Sequence, residues 1–397
     1  MDLSMVEQSG EGCGCDAFRL FISWVLMMRF VFRVVVAVLA IRSLASAQGD
    51  PEEILKQAIA LHQSGDAERA IPQYREYLKL RPDAVDARAN LGAALAGTGR
   101  YEDAIVQDRE ALKRRPRDPH IWLNLSLAFY KSGRISEAAV ELSGLHAAEP
   151  ANPQVILLLA DCWLRQGQDR KVIDLLTPLE KQGQSDLAIA YLLGTALLRD
   201  KQIARGQQMI DRILRNGDSA EARLLLATAK LAAMDFNAAI ADLEKAVELN
   251  PHLPDVYSFL GLAHKESGDM EAARSDFQKE LQENPNDFES NLNLAVLLKQ
   301  DPDYDSARKL LARALRVRPG DPGALYQVAS IDLATGKIEQ ARAGLEAIVK
   351  QSPQFVEAHI SLAAVYYRLK RKADGDREKA LVQKLNAEQE AAKQKLP

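Results

Sequence analysis

The sequence predicts an all-α protein, an α-solenoid of about nine to ten helix-turn-helix units of 34 residues each. Two columns of residues carry this prediction. Prolines recur 34 residues apart at Pro82, Pro116 and Pro150, and glycines recur at the same interval at Gly65 and Gly99. A segment that returns at a fixed period indicates a structural building unit.

Each unit is predicted to contain two short amphipathic helices. Apolar residues recur at three- and four-residue spacing on both sides of a glycine, as at Leu91 and Leu95 and then at Ala104 and Ala111. The glycine suits the left-handed residue that ends the first helix, and the proline stops the second. Small residues such as Gly92 are expected where the two helices cross, because they let the backbones approach closely.

The solenoid is expected to span residues 51–372. Its units are predicted to begin near residues 51, 85, 119, 153, 187, 220, 254, 288, 322 and 356. The interval from Pro150 to Pro251 is 101 residues, one short of three periods, and the glycine column has the same shortfall. We therefore expect one missing residue in this region, in the loop at 215–218 between Gly206 and Ala227.

Two units depart from the pattern, and the chain ends differently. The unit at 187–219 lacks the turn glycine and the proline, and the unit at 288–321 carries Pro302 at its turn. Residues 373–397 are predicted to break at Asp374-Gly375-Asp376 and then to form a polar capping helix or tail. Such a cap would cover the last apolar face of the solenoid.

Residues 1–47 are predicted to be an N-terminal leader. Arg29 and Arg33 precede the eight uncharged apolar residues 34–41. The following Ala45-Ser46-Ala47 has the small-x-small form of a signal peptidase site. A basic region, a short apolar core and such a site together indicate an export signal.

Cleavage after Ala47 would leave Gln48 as the first residue of an exported protein, periplasmic or secreted. The alternative is an uncleaved anchor in the inner membrane, formed by residues 20–41. That anchor would place two arginines inside the span, at a cost of a few kcal/mol each near its centre. Initiation at Met27 or Met28 would preserve the order of basic and then apolar residues.

The composition argues against several kinds of chemistry. A net charge of -4 and a pI of about 6.0 give no electrostatic case for nucleic acid. The sequence has no phosphate-binding loop, dinucleotide fingerprint, nucleophile elbow or zinc-protease motif. None of the six histidines has another histidine or a cysteine three or four residues on. The sequence therefore predicts no catalytic residue, cofactor, metal site or small-molecule substrate, and no enzyme.

One unit shows most of a known consensus, W-x2-L-G-x2-Y followed by A-x3-F and P. It resembles the tetratricopeptide repeat through Trp122, Leu125, Ser126, Phe129, Gly133, Ala138, Leu142 and Pro150. A second copy runs from Tyr257 to Pro285. The resemblance covers about residues 51–372. It implies a right-handed superhelix whose first helices line a concave groove for protein segments.

The resemblance also assigns candidate peptide-binding residues, at repeat positions that face such a groove. They are Asn90, Leu123, Asn124, Leu127, Tyr130, Leu157, Asp161, Tyr191, Thr195 and Leu198. In the family, asparagines at the position of Asn90 and Asn124 often bond a peptide backbone. The Lys and Asn pair that clamps chaperone C-terminal tails is missing, as at Leu55 and Ile59. The leucines of this set would also serve simply to tighten neighbouring first helices.

These observations favour a non-catalytic scaffold or adaptor that binds a protein or peptide partner in the groove. The alternative is a membrane-anchored assembly subunit of a cell-envelope complex. In that case the membrane would be contacted only through an uncleaved N-terminal segment.

Overall fold

The computed structural model describes residues 50–181, 186–215 and 217–393. The leader, its cleavage site and the last four residues lie outside this range. The described residues form helices and no strands, which confirms the predicted all-α fold. The helices are α1 (Pro51–Gln63), α2 (Ala67–Leu80), α3 (Val85–Gly97), α4 (Tyr101–Arg114), α5 (Pro119–Lys131), α6 (Ile135–Ala148), α7 (Pro153–Arg165), α8 (Asp169–Lys181), α9 (Leu187–Arg199), α10 (Ile203–Leu214), α11 (Ala220–Ala232), α12 (Phe236–Leu249), α13 (Val256–Ser267), α14 (Met270–Glu283), α15 (Phe288–Gln300), α16 (Tyr304–Val317), α17 (Pro322–Ala334), α18 (Ile338–Gln351), α19 (Val356–Arg368) and α20 (Lys372–Lys393).

Several first helices begin directly after a residue whose side chain caps them. Before α5, the Asp118 carboxylate accepts hydrogen bonds from the backbone N–H groups of His120 and Ile121, and Pro119 occupies the first helical position. A capping carboxylate satisfies donors that have no partner within the helix, and proline has no N–H to leave unpaired there. The turn after α5 places Gly133 in the left-handed region, at φ +77°.

The chain divides into two compact units, residues 1–100 and 101–397. In the first, α1 and α2 pair as a hairpin and α3 packs on α2, around buried Ala70, Ile71 and Tyr74. In the second, successive hairpins share continuous apolar cores. One core extends from α7 to α11, a second from α11 to α13, and a third from α17 to α19.

Small residues allow close contact between the helices of a hairpin. Gly261 on α13 faces Phe277 on α14, and an added methyl group would lie 2.7 Å from a carbon of that ring. Real side chains essentially never approach so closely. A packed interior accommodates added atoms only by shifting its neighbours, so a larger side chain would force these helices apart.

The unit at 187–219 accommodates its missing residue differently from our expectation. Helix α10 has 12 residues, whereas α2 and α6 have 14. The connection from α10 to α11 comprises residues 215–219. It is not shortened, because the corresponding connection from α6 to α7 comprises only residues 149–152. The predicted shortening of the loop is therefore wrong: α10 ends two residues early and the connection is one residue longer, a net loss of one residue.

The C-terminal region also corrects the sequence-based prediction. Helix α20 runs without a break through Asp374, Gly375 and Asp376, and it pairs with α19 as a tenth second helix. Gly375 lies under the ring of Tyr367, whose hydroxyl donates to Asp376 Oδ1 at 2.8 Å. A polar glycine-containing triplet can thus remain helical because α19 supplies it with packing and a hydrogen bond.

Three turns use residues other than glycine in the left-handed conformation. Lys201, Met234 and Lys370 have φ values of 62°, 59° and 60°. Each takes the place that glycine holds in other units, at a conformational cost of roughly 1–2 kcal/mol. Among the described residues, no helix is both long enough and apolar enough to cross a membrane.

Candidate functional site

The predicted peptide-binding residues of the second compact unit, residues 101–397, differ in how accessible their side chains are. On α5, Leu123, Asn124 and Leu127 are half-buried, and the Asn124 side-chain amide makes no hydrogen bond to a described residue. Asn90 holds the same repeat position on α3 in the first unit and is also half-buried. An amide with free donors and an acceptor beside apolar side chains can bind a peptide group.

A third asparagine at this repeat position is already engaged. Asn293 on α15 is buried; its Nδ2 donates to the Glu289 carbonyl oxygen at 2.9 Å, and its Oδ1 accepts from Lys265 at 2.9 Å. Its polar groups are therefore used within the fold. Asn124 and Asn293 therefore occupy the same repeat position but have different surroundings.

Tyr130 and Asp161 form a polar network between α5 and α7. The Tyr130 hydroxyl donates to Asp161 Oδ2 at 2.6 Å, and Arg165 Nε donates to the same oxygen at 2.7 Å. The Arg165 guanidinium also lies over the Tyr130 ring, 5.5 Å from its centroid. Burial, followed by the Asp161 charge, raises the pKa of Tyr130, so its hydroxyl remains a donor at neutral pH.

Farther along the chain, the structure buries two of the predicted residues. Thr195 and Leu198 are 4% and 3% exposed. Thr195 donates its hydroxyl hydrogen to the Tyr191 carbonyl oxygen, and Leu198 packs against Gly206 of α10. They belong to the protein's own interior, and their assignment to an open groove is corrected. Leu157 and Tyr191 stay half-buried at the edges of apolar cores.

We call the partly exposed predicted residues of α5, α7 and α9 the inner face. These are Leu123, Asn124, Leu127, Tyr130, Leu157, Asp161 and Tyr191. Later hairpins of the same chain lie opposite the α7 end of this face. A cavity of about 410 Å³ has Asp161 and Arg165 on one side and Asp255 and Phe259 on the other. A second cavity, of about 540 Å³, lies between Tyr130 and the loop at 251–254.

Direct contacts hold these distant parts together. Arg318, which follows α16, donates from Nε to the Arg165 carbonyl oxygen at 2.6 Å and from an Nη atom to Glu289 at 3.0 Å. Its guanidinium carbon lies 3.9 Å from the centroid of the Phe288 ring. Beside it, the side chain of Asn286 lies against the backbone of Gly133. We call this contact the clasp, formed by Gly133, Arg165 and Gly167 with Asn286, Phe288, Glu289 and Arg318.

Buried carboxyl groups lie behind the clasp. Asp255 has a left-handed backbone, at φ +67°, and its N–H donates to Glu280 at 3.2 Å. Burial raises the pKa of Asp255, an effect that Arg165 opposes. Burial and the neighbouring Asp255 and Asp287 raise the pKa of Glu280 to about 8, so this carboxyl is largely protonated at neutral pH. Sequence reasoning missed this cluster, since these residues resemble ordinary helix-capping or surface acids.

Asp108 on α4 is a separate exception in the apolar interior. It is 0% exposed, and neither carboxylate oxygen has a hydrogen-bond partner among the described residues. Burial raises its pKa to about 7. The same repeat position holds large buried side chains elsewhere, namely Tyr74, Leu142, Leu176, Ile210 and Phe277. The repeat alignment alone could have identified Asp108 as a polar residue at a core position.

The described residues offer no grouping of three His, Cys, Asp or Glu side chains that could hold a metal ion. Cys162 is a free, fully buried thiol, and burial raises its pKa, which opposes thiolate chemistry. The partly exposed side chains of the inner face are one amide, three leucines, two tyrosines and the carboxylate of Asp161. Such groups suit the recognition of a polypeptide.

Family models described as tetratricopeptide repeat match the sequence along most of its length. One matches residues 129–193, 265–322 and 300–365, and the other matches 55–108, 109–143, 179–254 and 224–288. Together these matches run without a gap from 55 to 365. No curated protein matches the sequence.

Three solved structures are similar to this chain at low sequence identity. The APC/C hetero-tetramer Cut9-Hcn1 shows the same fold; it is 13% identical, with a TM-score of 0.54 over 87% of this chain and 89% of that one. The human IFIT1 dimer with m7Gppp-AAAA is 15% identical, with a TM-score of 0.47 over 83% and 89%. The MamA RS-1 ArsTM double mutant is 20% identical, with a TM-score of 0.39 over 44% and 97%.

Proposed function

This chain belongs to the tetratricopeptide repeat family, and we propose that it is a non-catalytic scaffold that binds a protein segment along its inner face. Tetratricopeptide repeats in general support protein interaction. The observation that carries the finer proposal is the unengaged amide of Asn124 between half-buried Leu123 and Leu127.

The proposed mode of binding follows from this arrangement. Asn124 would bond the backbone of an extended segment, while Leu123 and Leu127 would receive its apolar side chains. An extended peptide has unpaired N–H and C=O groups, and amide side chains can satisfy them without selecting a particular residue.

Site-specific photocrosslinking tests the proposal. A photoreactive residue in place of His120, which is exposed on α5 one turn before Asn124, should capture the partner in the native cell fraction. The matched control is the same residue in place of Val140, which is 71% exposed on the second helix α6. Equal capture at both positions, or capture only at Val140, would place the partner off the inner face.

The cellular location is a further part of this proposal. We propose export after cleavage behind Ala47, with a membrane-anchored subunit of an envelope complex as the alternative. The motif at 45–47 and the short apolar stretch at 34–41 support export. N-terminal sequencing of the purified native protein decides the matter. A first residue at Gln48 supports export, and an intact leader in carbonate-washed membranes supports the anchor.

A further inference from the structure

The clasp joins parts of the chain that lie four to five hairpins apart. On one side are the turns after α5 and α7, and on the other are the start of α15 and the end of α16. A repeat array is stabilised mainly by contacts between neighbouring repeats. This contact between distant hairpins is additional to that pattern.

The glycine turns show how local the contact is. At Gly65, Gly99, Gly268 and Gly336 an added methyl group would meet nothing within 4 Å. At Gly133 the same methyl would lie 2.2 Å from Asn286 Cγ. Two separate features therefore favour glycine at position 133. Its backbone is left-handed, and the side chain of the distant Asn286 occupies the space that a methyl group would fill.

The clasp leaves the apolar cores of the hairpins untouched. Its residues belong neither to the core that extends from α7 to α11 nor to the one from α11 to α13. It consists of hydrogen bonds, one ion pair and the stacking of Arg318 on Phe288. These contacts can break while each hairpin remains folded.

Closure restricts access to the inner face at α7. Across the two cavities, Tyr130 and Asp161 face the loop at 251–254 and the start of α13. Tyr191 packs against the core that includes Val256 and Leu260. A peptide that extended from Asn124 toward Tyr191 would have to displace these elements.

We propose that the clasp is an autoinhibitory contact. It holds the hairpins from α13 to α16 over the α7–α9 part of the inner face, and this part receives a polypeptide only when the clasp opens. The occupant is the protein segment that binds first at Leu123, Asn124 and Leu127. This inference rests on the proposed function and adds regulation to the same surface.

Two substitutions open the clasp by different means, and each has a matched control. Gly133→Ala places a methyl group against Asn286, whereas Gly336→Ala carries the same left-handed strain, at the same φ of +77°, and meets nothing. Arg318→Ala removes the clasp hydrogen bond and the stacking on Phe288. Arg342→Ala removes an arginine whose ion pairs stay within its own helix, α18.

The first readout is a distance that does not depend on any partner. Spin labels are attached through Val140→Cys on α6 and Arg313→Cys on α16, both exposed, in the full chain with Cys13→Ser and Cys15→Ser. Cys162 is fully buried and escapes labelling. We expect a shift to longer distances in Gly133→Ala and Arg318→Ala, and unchanged distances in Gly336→Ala and Arg342→Ala. An unchanged distance in both clasp variants, or an equal shift in the controls, overturns the proposal.

The second readout is photocrosslinking of the native partner from position 157, compared with position 120 beside Asn124. We expect capture at 157 to rise in both clasp variants, while capture at 120 persists in all of them. If the distance lengthens and capture at 157 does not rise, autoinhibition is wrong and binding at Asn124 stands. Loss of capture at 120 in every variant, the parent included, would instead remove the proposed function itself.

Discussion

The Tyr130 hydroxyl donates to the Asp161 carboxylate at 2.6 Å, and this bond joins the first helices of two consecutive hairpins. Asp161 also accepts from Arg165, whose backbone carbonyl takes part in the clasp. The two first helices therefore share a charged acceptor next to the clasp. The Tyr130 hydroxyl and Arg165 together hold the Asp161 carboxylate between these helices.

Tyr130→Phe should lower the free energy of unfolding by about 1.5–3 kcal/mol, because the lost hydrogen bond has a charged acceptor. Chemical denaturation of both proteins measures the difference. Tyr304→Phe is the control, since the Tyr304 hydroxyl makes no hydrogen bond to a described residue. Equal losses in the two variants would show that the bond to Asp161 contributes nothing specific.

Asn124→Ala and Asn293→Ala should have opposite effects. Asn124→Ala should change stability by no more than about 0.5 kcal/mol, yet weaken partner binding by about 1–3 kcal/mol if a peptide group loses its partner. Asn293→Ala should destabilise the fold by about 1–3 kcal/mol, because it removes the hydrogen bonds that this buried amide makes with Lys265 and with the Glu289 carbonyl oxygen. A thermal melt and a binding titration of each variant provide the comparison. Normal binding by Asn124→Ala would contradict the assignment of the inner face.

Asp108→Leu should stabilise the protein, and more so at higher pH. Burial raises the Asp108 pKa from 3.8 to about 7, so the folded state binds its proton more tightly than the unfolded state does. The wild-type protein therefore loses stability as the pH rises between these two values. The gain from leucine should be about 2–3 kcal/mol larger near pH 8 than near pH 5.

Urea denaturation of Asp108→Leu at both pH values tests this expectation. Asp174→Leu, at an exposed position of α8, is the control and should show no such pH-dependent gain. A gain from Asp108→Leu that is independent of pH would mean that the carboxyl group has a partner or a water molecule that neutralises the effect of burial.

Gly261→Ala and Gly344→Ala should shift stability in opposite directions. At Gly261 the added methyl meets the Phe277 ring at 2.7 Å, so the variant should lose about 1–3 kcal/mol. At Gly344 it meets Ala329 Cβ at 3.7 Å, an ordinary contact, and the better helix propensity of alanine should add about 0.5–1 kcal/mol. Differential scanning calorimetry of both variants would reveal the signs. Stabilisation in both would mean that α13 and α14 separate easily.

The fold could be predicted from the sequence because its information is local. Most units specify their own helices through apolar spacing, and many add a capping side chain such as Asp118 or a turn glycine such as Gly133. The exception at α20 has a tertiary cause. The Tyr367 ring and hydroxyl hold Gly375 and Asp376 in a helix that their local preferences do not favour.

The candidate site was less predictable, because repeat position does not determine surroundings. Asn124 and Asn293 occupy the same repeat position, yet one amide is unengaged and the other is used within the fold. Thr195 and Leu198 lie at positions that face the groove in the family, but here they are buried. The clasp has no sequence signature, since it arises from small rotations between repeats that add up over four hairpins.

The bond between Arg165 and Arg318 spans 153 residues of sequence in a protein whose contacts are otherwise mostly short-range. Arrays of repeats usually unfold piecemeal, since each repeat depends only on its neighbours. A contact of this separation couples distant hairpins in addition to the cores that neighbours share, and it forms only after much of the chain has emerged and folded. For the stretch from α7 to α16, unfolding should therefore be more cooperative in the closed state than after the clasp has opened.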